Sequence, residues 1–194
     1  MLKEDGNLKI GVLSLQGGVI EHINHIERLG HEAIEIKKEE DLDNIDFLIL
    51  PGGESTTIGN ILRTTGLLEK MREKIKNGLP TWGTCCGMIL LAKEVEGEDK
   101  SHFALMDIKV RRNGYGSQLD SFNTNKVIDE IGKEPVELVF IRAPYVLEQG
   151  KEVKTLLEVD GKIVGVRQNN MIATSFHPEL TEDTRFLEYV LKSF

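Results

Sequence analysis

The chain has 194 residues, of which 40% are hydrophobic and 29% charged, as is usual for a globular protein with one sizeable core. Its formal net charge of −8 disfavours nucleic acid and anionic membrane as partners, because both attract basic surfaces. The N-terminus is polar and lacks the apolar core of a signal peptide, and no apolar run reaches the length of about 20 residues that a membrane span needs. The two cysteines are adjacent, so we expect a cytoplasmic protein without disulfides.

Strand-like and helix-like segments alternate through the first half of the chain. Apolar runs predict buried strands at Leu8–Leu15, Ala33–Ile36, Phe47–Leu50 and Leu79–Trp82. Apolar residues at helical spacing predict helices at Val19–Leu29, Ile58–Leu62, Leu67–Ile75 and Met88–Ala92. This alternation indicates a mostly parallel sheet with helices on both faces.

The second half predicts a different arrangement. Further strands are expected at Ala104–Val110, Val136–Ile141, Thr155–Val159, Lys162–Arg167 and Met171–Phe176. Asp160-Gly161 and Asn169-Asn170 are typical hairpin turns, so antiparallel strands should lie on one edge of the sheet. Thr181 is expected to cap a final helix. The prediction is an α/β fold with a single doubly wound sheet, and residues 1–194 form one domain because no linker interrupts them.

The segment Gly83-Thr84-Cys85-Cys86-Gly87 lies between a predicted strand and a predicted helix. A nucleophile on such a sharp turn needs small neighbours, because the backbone is strained and the flanking segments approach closely. Glycines stand two residues before and two after Cys85, whereas Cys86 would have Thr84 and Met88 there. Cys85 is therefore the candidate nucleophile, although a buried structural cysteine in a glycine-rich turn fits the same motif.

A cysteine nucleophile needs a base and a group that orients the base. His177 follows a predicted strand and is joined through Pro178 to Glu179, so imidazole and carboxylate hold a fixed relation. A Cys-His-Glu triad is thus available, whereas a surface histidine at a strand end is the alternative. His22 and His25, within a predicted helix, are expected to be surface or helix-packing groups.

The segment Pro51-Gly52-Gly53-Glu54-Ser55 ends a predicted strand and begins a helix. Its glycines let backbone N–H groups point inward, as an oxyanion hole requires. An anion nest is the alternative, and the Gly-Lys-Ser/Thr of a Walker motif is missing. At the C-terminal ends of neighbouring strands, this loop and the turn at Gln16-Gly17-Gly18 should meet the Cys85 turn.

These motifs together resemble the class I glutamine amidotransferases, whose fold is flavodoxin-like. The segments Gly11–Gly17, Pro51–Thr57, Phe140–Pro144 and Ser175–Thr181 narrow the resemblance to the family of glutaminase subunits of pyridoxal 5′-phosphate synthase. The resemblance covers nearly the whole chain. It implies hydrolysis of L-glutamine, no metal or cofactor, and delivery of ammonia to a separate (β/α)₈ synthase subunit in a large hetero-oligomer.

The resemblance also implies roles for individual residues. Cys85 resembles the nucleophile, His177 the general base and acid, and Glu179 the group that orients it. The backbone N–H groups of Gly53 and Cys86 resemble the oxyanion hole. The positions that resemble the glutamine contacts are Gly53, Glu54, Ser55, Arg112, Ile141 and Arg142.

Two departures from the family pattern concern substrate binding. Ser117 stands where the family usually has a second arginine, and Arg111 directly precedes Arg112, so the register of the binding arginine is open.

Three other functions fit parts of the pattern: the glutaminase of another amidotransferase such as imidazole glycerol phosphate synthase, a cysteine peptidase or chaperone-like protein of the same broad fold, and a non-catalytic subunit that binds a metabolite. Peptidases and chaperone-like proteins of this kind tend to place histidine after the nucleophile, where this chain has Cys86.

Overall fold

The computed structural model describes residues 6–114 and 121–194. Ser117 lies outside these ranges, as do the first five residues. Within them the strands are β1 Lys9–Leu13, β2 Glu32–Ile36, β3 Phe47–Leu50, β4 Thr81–Thr84, β5 Ala92–Val95, β6 Met106–Arg111, β7 Ser121–Lys126, β8 Val136–Ile141, β9 Tyr145–Gln149, β10 Lys154–Val159, β11 Lys162–Gln168 and β12 Met171–Thr174. The α-helices are α1 Val19–Arg28, α2 Ser55–Thr64, α3 Leu67–Lys76, α4 Cys86–Leu91 and α5 Arg185–Lys192.

Most strands belong to one large mixed sheet in the order β2-β1-β3-β4-β12-β11-β9-β6-β5, and β10 also pairs with β11. The pairs from β2 through β12 are parallel. The strands β9, β10 and β12 pair antiparallel with β11. The α/β fold with an antiparallel edge is therefore confirmed.

Apolar side chains on the two faces of this sheet form two separate cores. Helices α1 and α5 pack over one face, around Val12, Ile49 and Trp82. Helices α2, α3 and α4 cover the other face, around Leu13 and Leu50. Adjacent residues of one strand thus point to opposite cores, as expected for a parallel sheet buried on both faces.

Two local predictions were wrong. Strand β8 lies outside the large sheet and pairs instead with β7, a strand that was not predicted. Helix α5 begins at Arg185 rather than after Thr181. Thr181 instead closes a 3₁₀ turn at Pro178–Leu180, where its hydroxyl donates to the carbonyl of Pro178 at 2.9 Å. The same hydroxyl oxygen accepts the Asp183 N–H at 3.2 Å, and the Asp183 carboxylate accepts the Arg185 N–H at 3.0 Å, where the helix begins.

The parallel strands β1, β3, β4 and β12 end at the same edge of the sheet. The segments that follow them are the turn at Gln16, the loop at Gly52, the Cys85 turn and the 3₁₀ turn after His177. In sheets of this kind, ligands bind in the crevice outside the carboxyl ends of the strands. Within the described part of the chain, no helix has the length and apolar character needed to cross a bilayer.

Candidate active site

A cleft with a volume of about 420 Å³ opens at this edge of the sheet. Its lining contains nearly all the predicted site residues, namely Gly53, Glu54, Ser55, Cys85, Arg112, Ile141, Arg142, His177 and Glu179. The Gln16-Gly17-Gly18 turn also lines it, as predicted. Segments far apart in the sequence therefore converge on one concave site.

Cys85 occupies the sharp turn between β4 and α4. Its backbone has φ of 49° and ψ of −99°, a strained conformation for a residue with a side chain. Both flanking glycines are required, because a Cβ on Gly83 would lie 2.5 Å from the carbonyl carbon of Gly87, and one on Gly87 would lie 2.3 Å from the Leu50 oxygen. The close approach confirms the reasoning that placed the turn at Cys85.

The neighbouring Cys86 has a different environment. Its side chain is 1% exposed and packs into the core, whereas Cys85 borders the cleft and is 8% exposed. Burial raises the pKa of the Cys86 thiol far above its ordinary value, so this side chain stays protonated. Its backbone N–H lies at the N-terminus of α4, where helix N–H groups have no partner within the helix.

His177 and Glu179 form the pair that the sequence indicated. Nδ1 of His177 lies 2.7 Å from Oε1 of Glu179, and the imidazole lines the same cleft as Cys85, whose sulfur lies 3.9 Å from the Ile141 carbonyl. Burial on its own would lower the pKa of His177, but the bonds to Cys85 and Glu179 outweigh it and raise that pKa. The candidate thiol, the imidazole and the carboxylate thus lie together in one cleft.

The loop that contains Gly53 is held by the turn after β1. The Gly18 N–H donates to the Gly52 carbonyl at 3.1 Å, and the Glu54 N–H donates to Oε1 of Gln16 at 2.9 Å. These two bonds set the orientation of the peptides on either side of Gly53. The sequence indicated that the turn is nearby, but not that the Gln16 side chain bonds to the loop.

The Glu54 side chain caps the N-terminus of helix α2. Its carboxylate accepts hydrogen bonds from the backbone N–H groups of Thr56 at 3.0 Å and Thr57 at 2.7 Å, and so caps the helix. Bonds from Thr57 and Thr56 outweigh desolvation and lower the pKa of Glu54 to about 2. The cleft wall therefore carries a permanent negative charge here.

The structure resolves the register of the two adjacent arginines. Arg111 pairs with Glu96 and is not among the cleft residues, whereas Arg112 lines the cleft. Arg112 is paired with Glu98 and, at 3.2 Å, with Glu54. Glu98 was not singled out in the sequence, because nothing in its local pattern marks it as the partner of a distant guanidinium.

His22 and His25, on helix α1, are both buried. Of the two roles expected for them, helix packing is therefore confirmed and a surface position is wrong. Nε2 of His25 lies 2.8 Å from the Thr181 carbonyl, which joins α1 to the turn after His177. His22 lies deeper, beside Glu179. Among residues 6–114 and 121–194, no group of three or more histidine, cysteine, aspartate or glutamate side chains is arranged to hold a metal ion.

Comparisons with known proteins agree with this geometry. Residues 12–194 match the model of the SNO glutamine amidotransferase family. The chain is 63% identical over 186 residues to pyridoxal 5′-phosphate synthase subunit PdxT of Clostridium beijerinckii, covering 96% of this chain and 98% of the relative. It is 52% identical over 188 residues to the same subunit of Clostridium botulinum, covering 96% and 97%. A crystal structure of a glutamine amidotransferase matches with a TM-score of 0.89 and 42% identity, covering 94% of this chain and 97% of the other.

Proposed function

The chain belongs to the SNO glutamine amidotransferase family, and we propose that residues 1–194 are a single glutaminase domain that hydrolyses L-glutamine to L-glutamate and ammonia. The observation that carries this proposal is the connected set of Cys85, His177 and Glu179 in one cleft, with the carboxylate 2.7 Å from the imidazole. The 63% identity to a pyridoxal 5′-phosphate synthase subunit supports the same function.

The reaction begins with attack of the Cys85 sulfur on the amide carbon of glutamine, after its proton has passed to His177. The tetrahedral intermediate collapses when the imidazolium of His177 protonates the leaving nitrogen, which releases ammonia and leaves a γ-glutamyl thioester. His177 then takes a proton from water, whose oxygen attacks the thioester. The second tetrahedral intermediate collapses as the bond to sulfur breaks, the imidazolium returns its proton to the Cys85 sulfur, and glutamate is released. Glu179 accepts the Nδ1–H of His177 throughout and thereby stabilises the imidazolium.

The negative oxygen of each tetrahedral intermediate requires donors. We assign the backbone N–H groups of Gly53 and Cys86 to this role, because one lies in the loop beside the nucleophile and the other begins helix α4. Two arginines suit the α-carboxylate of glutamine, since guanidinium groups bind carboxylates with paired hydrogen bonds. Arg112 and Arg142 lie on the cleft wall, and the ionised Glu54 beside them suits the α-ammonium group.

The ammonia goes to a partner, which we propose is a (β/α)₈ pyridoxal 5′-phosphate synthase subunit in a cytoplasmic hetero-oligomer. Three apolar side chains near the mouth of the cleft fit a docking surface: Ile20 is 62% exposed, Leu180 44% and Ile141 37%. Ile141 and Leu180 also line the cleft itself. A partner placed there would receive ammonia before it reaches bulk water.

Docking there would also act on the oxyanion loop. Gly18, in the turn directly before Ile20, holds the Gly52 carbonyl and so sets the direction of the Gly53 N–H. Pressure on this turn would reorient the Gly52–Gly53 peptide at little steric cost, because both residues are glycines. Loss of one oxyanion donor typically lowers kcat by about 10²–10³, so activation by the partner of about that size is expected.

The test is steady-state release of glutamate from glutamine, by the isolated chain and with saturating synthase subunit. We expect slow hydrolysis alone and a rise of about two to three orders of magnitude in kcat with the partner. Full activity without the partner, unchanged by its addition, would contradict the activation. No hydrolysis under either condition would contradict the glutaminase itself.

A further inference from the structure

A second histidine lies beside the carboxylate of the triad. His22, on α1, is 1% exposed, and its Nε2 lies 3.6 Å from Oε1 of Glu179 and 3.1 Å from Oγ1 of Thr84. The ring meets Trp82 edge-on, with centroids 5.5 Å apart and planes at 85°. These contacts hold the imidazole in one orientation, with a ring nitrogen directed at Glu179 and at the residue that precedes the nucleophile.

The position of the proton on His22 follows from its neighbours. Burial lowers the pKa of His22 below its ordinary value, so the ring is neutral near pH 7 and carries one N–H. The other ionisable groups that face it are His177 from the segment after β12, and His25 and Glu21 from its own helix. A lone pair on Nε2 would face a carboxylate, which only accepts hydrogen bonds, and would be repelled. On this ground we assign the hydrogen to Nε2.

One oxygen of the Glu179 carboxylate faces both histidines. Its Oε1 accepts the Nδ1–H of His177, whereas Oε2 is buried and has no hydrogen-bond partner among the described residues. Burial on its own would raise the pKa of Glu179, but the interactions with His22 and His177 outweigh it and lower that pKa. Nε2 of His22 faces the same Oε1 at 3.6 Å, so its N–H supplies a second favourable dipole to that oxygen.

We propose, on the premise that the chain is a glutaminase, that His22 is a positioning residue that keeps the Glu179 carboxylate in the orientation in which it aligns His177 with Cys85. Nε2 also lies 3.1 Å from Oγ1 of Thr84, the residue before Cys85, so the His22 ring joins the carboxylate to the turn that carries Cys85. His22 touches neither substrate nor reacting atoms, and its effect passes through Glu179.

The experiment compares His22→Leu, which removes the N–H, with His22→Gln, whose amide places a donor near the position of Nε2. At 3.6 Å the contact with Glu179 is longer than a hydrogen bond, so we take the lower end of the value for a bond to a charged group, about 10-fold in rate. We expect His22→Leu to lower kcat by about that factor with KM nearly unchanged, and His22→Gln to recover most of the loss. His25→Leu is the matched control. It also removes a buried imidazole from α1, but that imidazole bonds the backbone carbonyl of Thr181 rather than facing Glu179.

The pH profile separates positioning from packing. Loss of the His22 N–H makes the ionised form of Glu179 less favourable and so raises the pKa of Glu179. The acid limb of the kcat/KM profile should therefore move to higher pH in His22→Leu but not in His25→Leu. A kcat for His22→Leu within about twofold of the wild type would overturn the proposal. Equal losses in His22→Leu and His22→Gln, without a shift of the acid limb, would overturn it as well.

A readout that needs no glutamine keeps this inference distinct from the proposed function. Alkylation of Cys85 by iodoacetamide depends on His177 being aligned to accept the thiol proton. We expect alkylation to slow in His22→Leu and to recover in His22→Gln. If this pattern holds while the wild type hydrolyses no glutamine, the positioning role stands and the glutaminase proposal fails; unchanged alkylation in His22→Leu overturns the positioning role.

Discussion

Gly52 allows the imidazole of His177 to approach the backbone of the oxyanion loop. A Cβ at Gly52 would lie 2.2 Å from Cε1 of His177 and 3.0 Å from its Nδ1. The φ of Gly52 lies outside the left-handed region, so Gly52→Ala leaves the backbone acceptable and acts on the ring. To reach an ordinary contact of 3.4 Å, the ring must move by about 1.2 Å. A displacement of this size lengthens the 2.7 Å bond to Glu179 and withdraws the ring from Cys85.

We expect Gly52→Ala to lower kcat by about 10²-fold, since a misplacement of about 1 Å in a reacting group typically has this effect. Overpacking should lower the free energy of unfolding by about 1–3 kcal/mol. The assay is glutamate release together with thermal unfolding followed by circular dichroism. Gly53→Ala is the comparison, because its Cβ would meet the flexible end of Ile58 at 2.9 Å, and we expect a smaller loss. A folded Gly52→Ala protein with kcat within about twofold of the wild type would refute the placement of His177.

Two further predictions concern the charges of the cleft. Arg112→Ala or Arg142→Ala should raise KM for glutamine by about 10- to 100-fold, because one hydrogen bond to a charged group is lost; unchanged KM in both variants would show that neither binds substrate. Glu54→Gln should lower the free energy of unfolding by about 1 kcal/mol through the weakened helix cap. Because the pKa of Glu54 is lowered to about 2, this stabilisation is fully present above the ordinary value of 4.5 and is lost as the pH falls through about 2. Denaturant unfolding of both proteins across this range checks the sign, and a difference that grows on acidification would contradict it.

Features that depend on local sterics could be predicted from the sequence. The position of the sharp turn at Cys85 follows from the glycines at 83 and 87, because the backbone passes too close to neighbouring segments for any side chain there. The His177–Glu179 pair follows from two residues held by an intervening proline. Both depend on short-range geometry that a few consecutive residues determine by themselves.

Long-range contacts could not be predicted in the same way. The approach of His22 to Glu179 and the pairing of Glu98 with Arg112 depend on how helices and loops lie on the sheet. Hydrophobic periodicity indicates which face of a helix is buried, but not which polar group meets it. Strand β8 was recognised as a strand, yet its periodicity carries no information about which sheet it joins. Thr181 shows the remaining limit, because its hydroxyl donates to Pro178 and accepts from Asp183 within the turn, and the helix begins only at Arg185.

The most direct test of the account is the identity of the acylated cysteine. Protein mixed with glutamine and synthase subunit, quenched in acid and digested, should carry a γ-glutamyl group on Cys85 and none on Cys86. Cys85→Ala should abolish both the adduct and the release of glutamate, while Cys86→Ala should retain both. An adduct on Cys86, or glutamate release that survives Cys85→Ala, would contradict the central claim that Cys85 is the nucleophile.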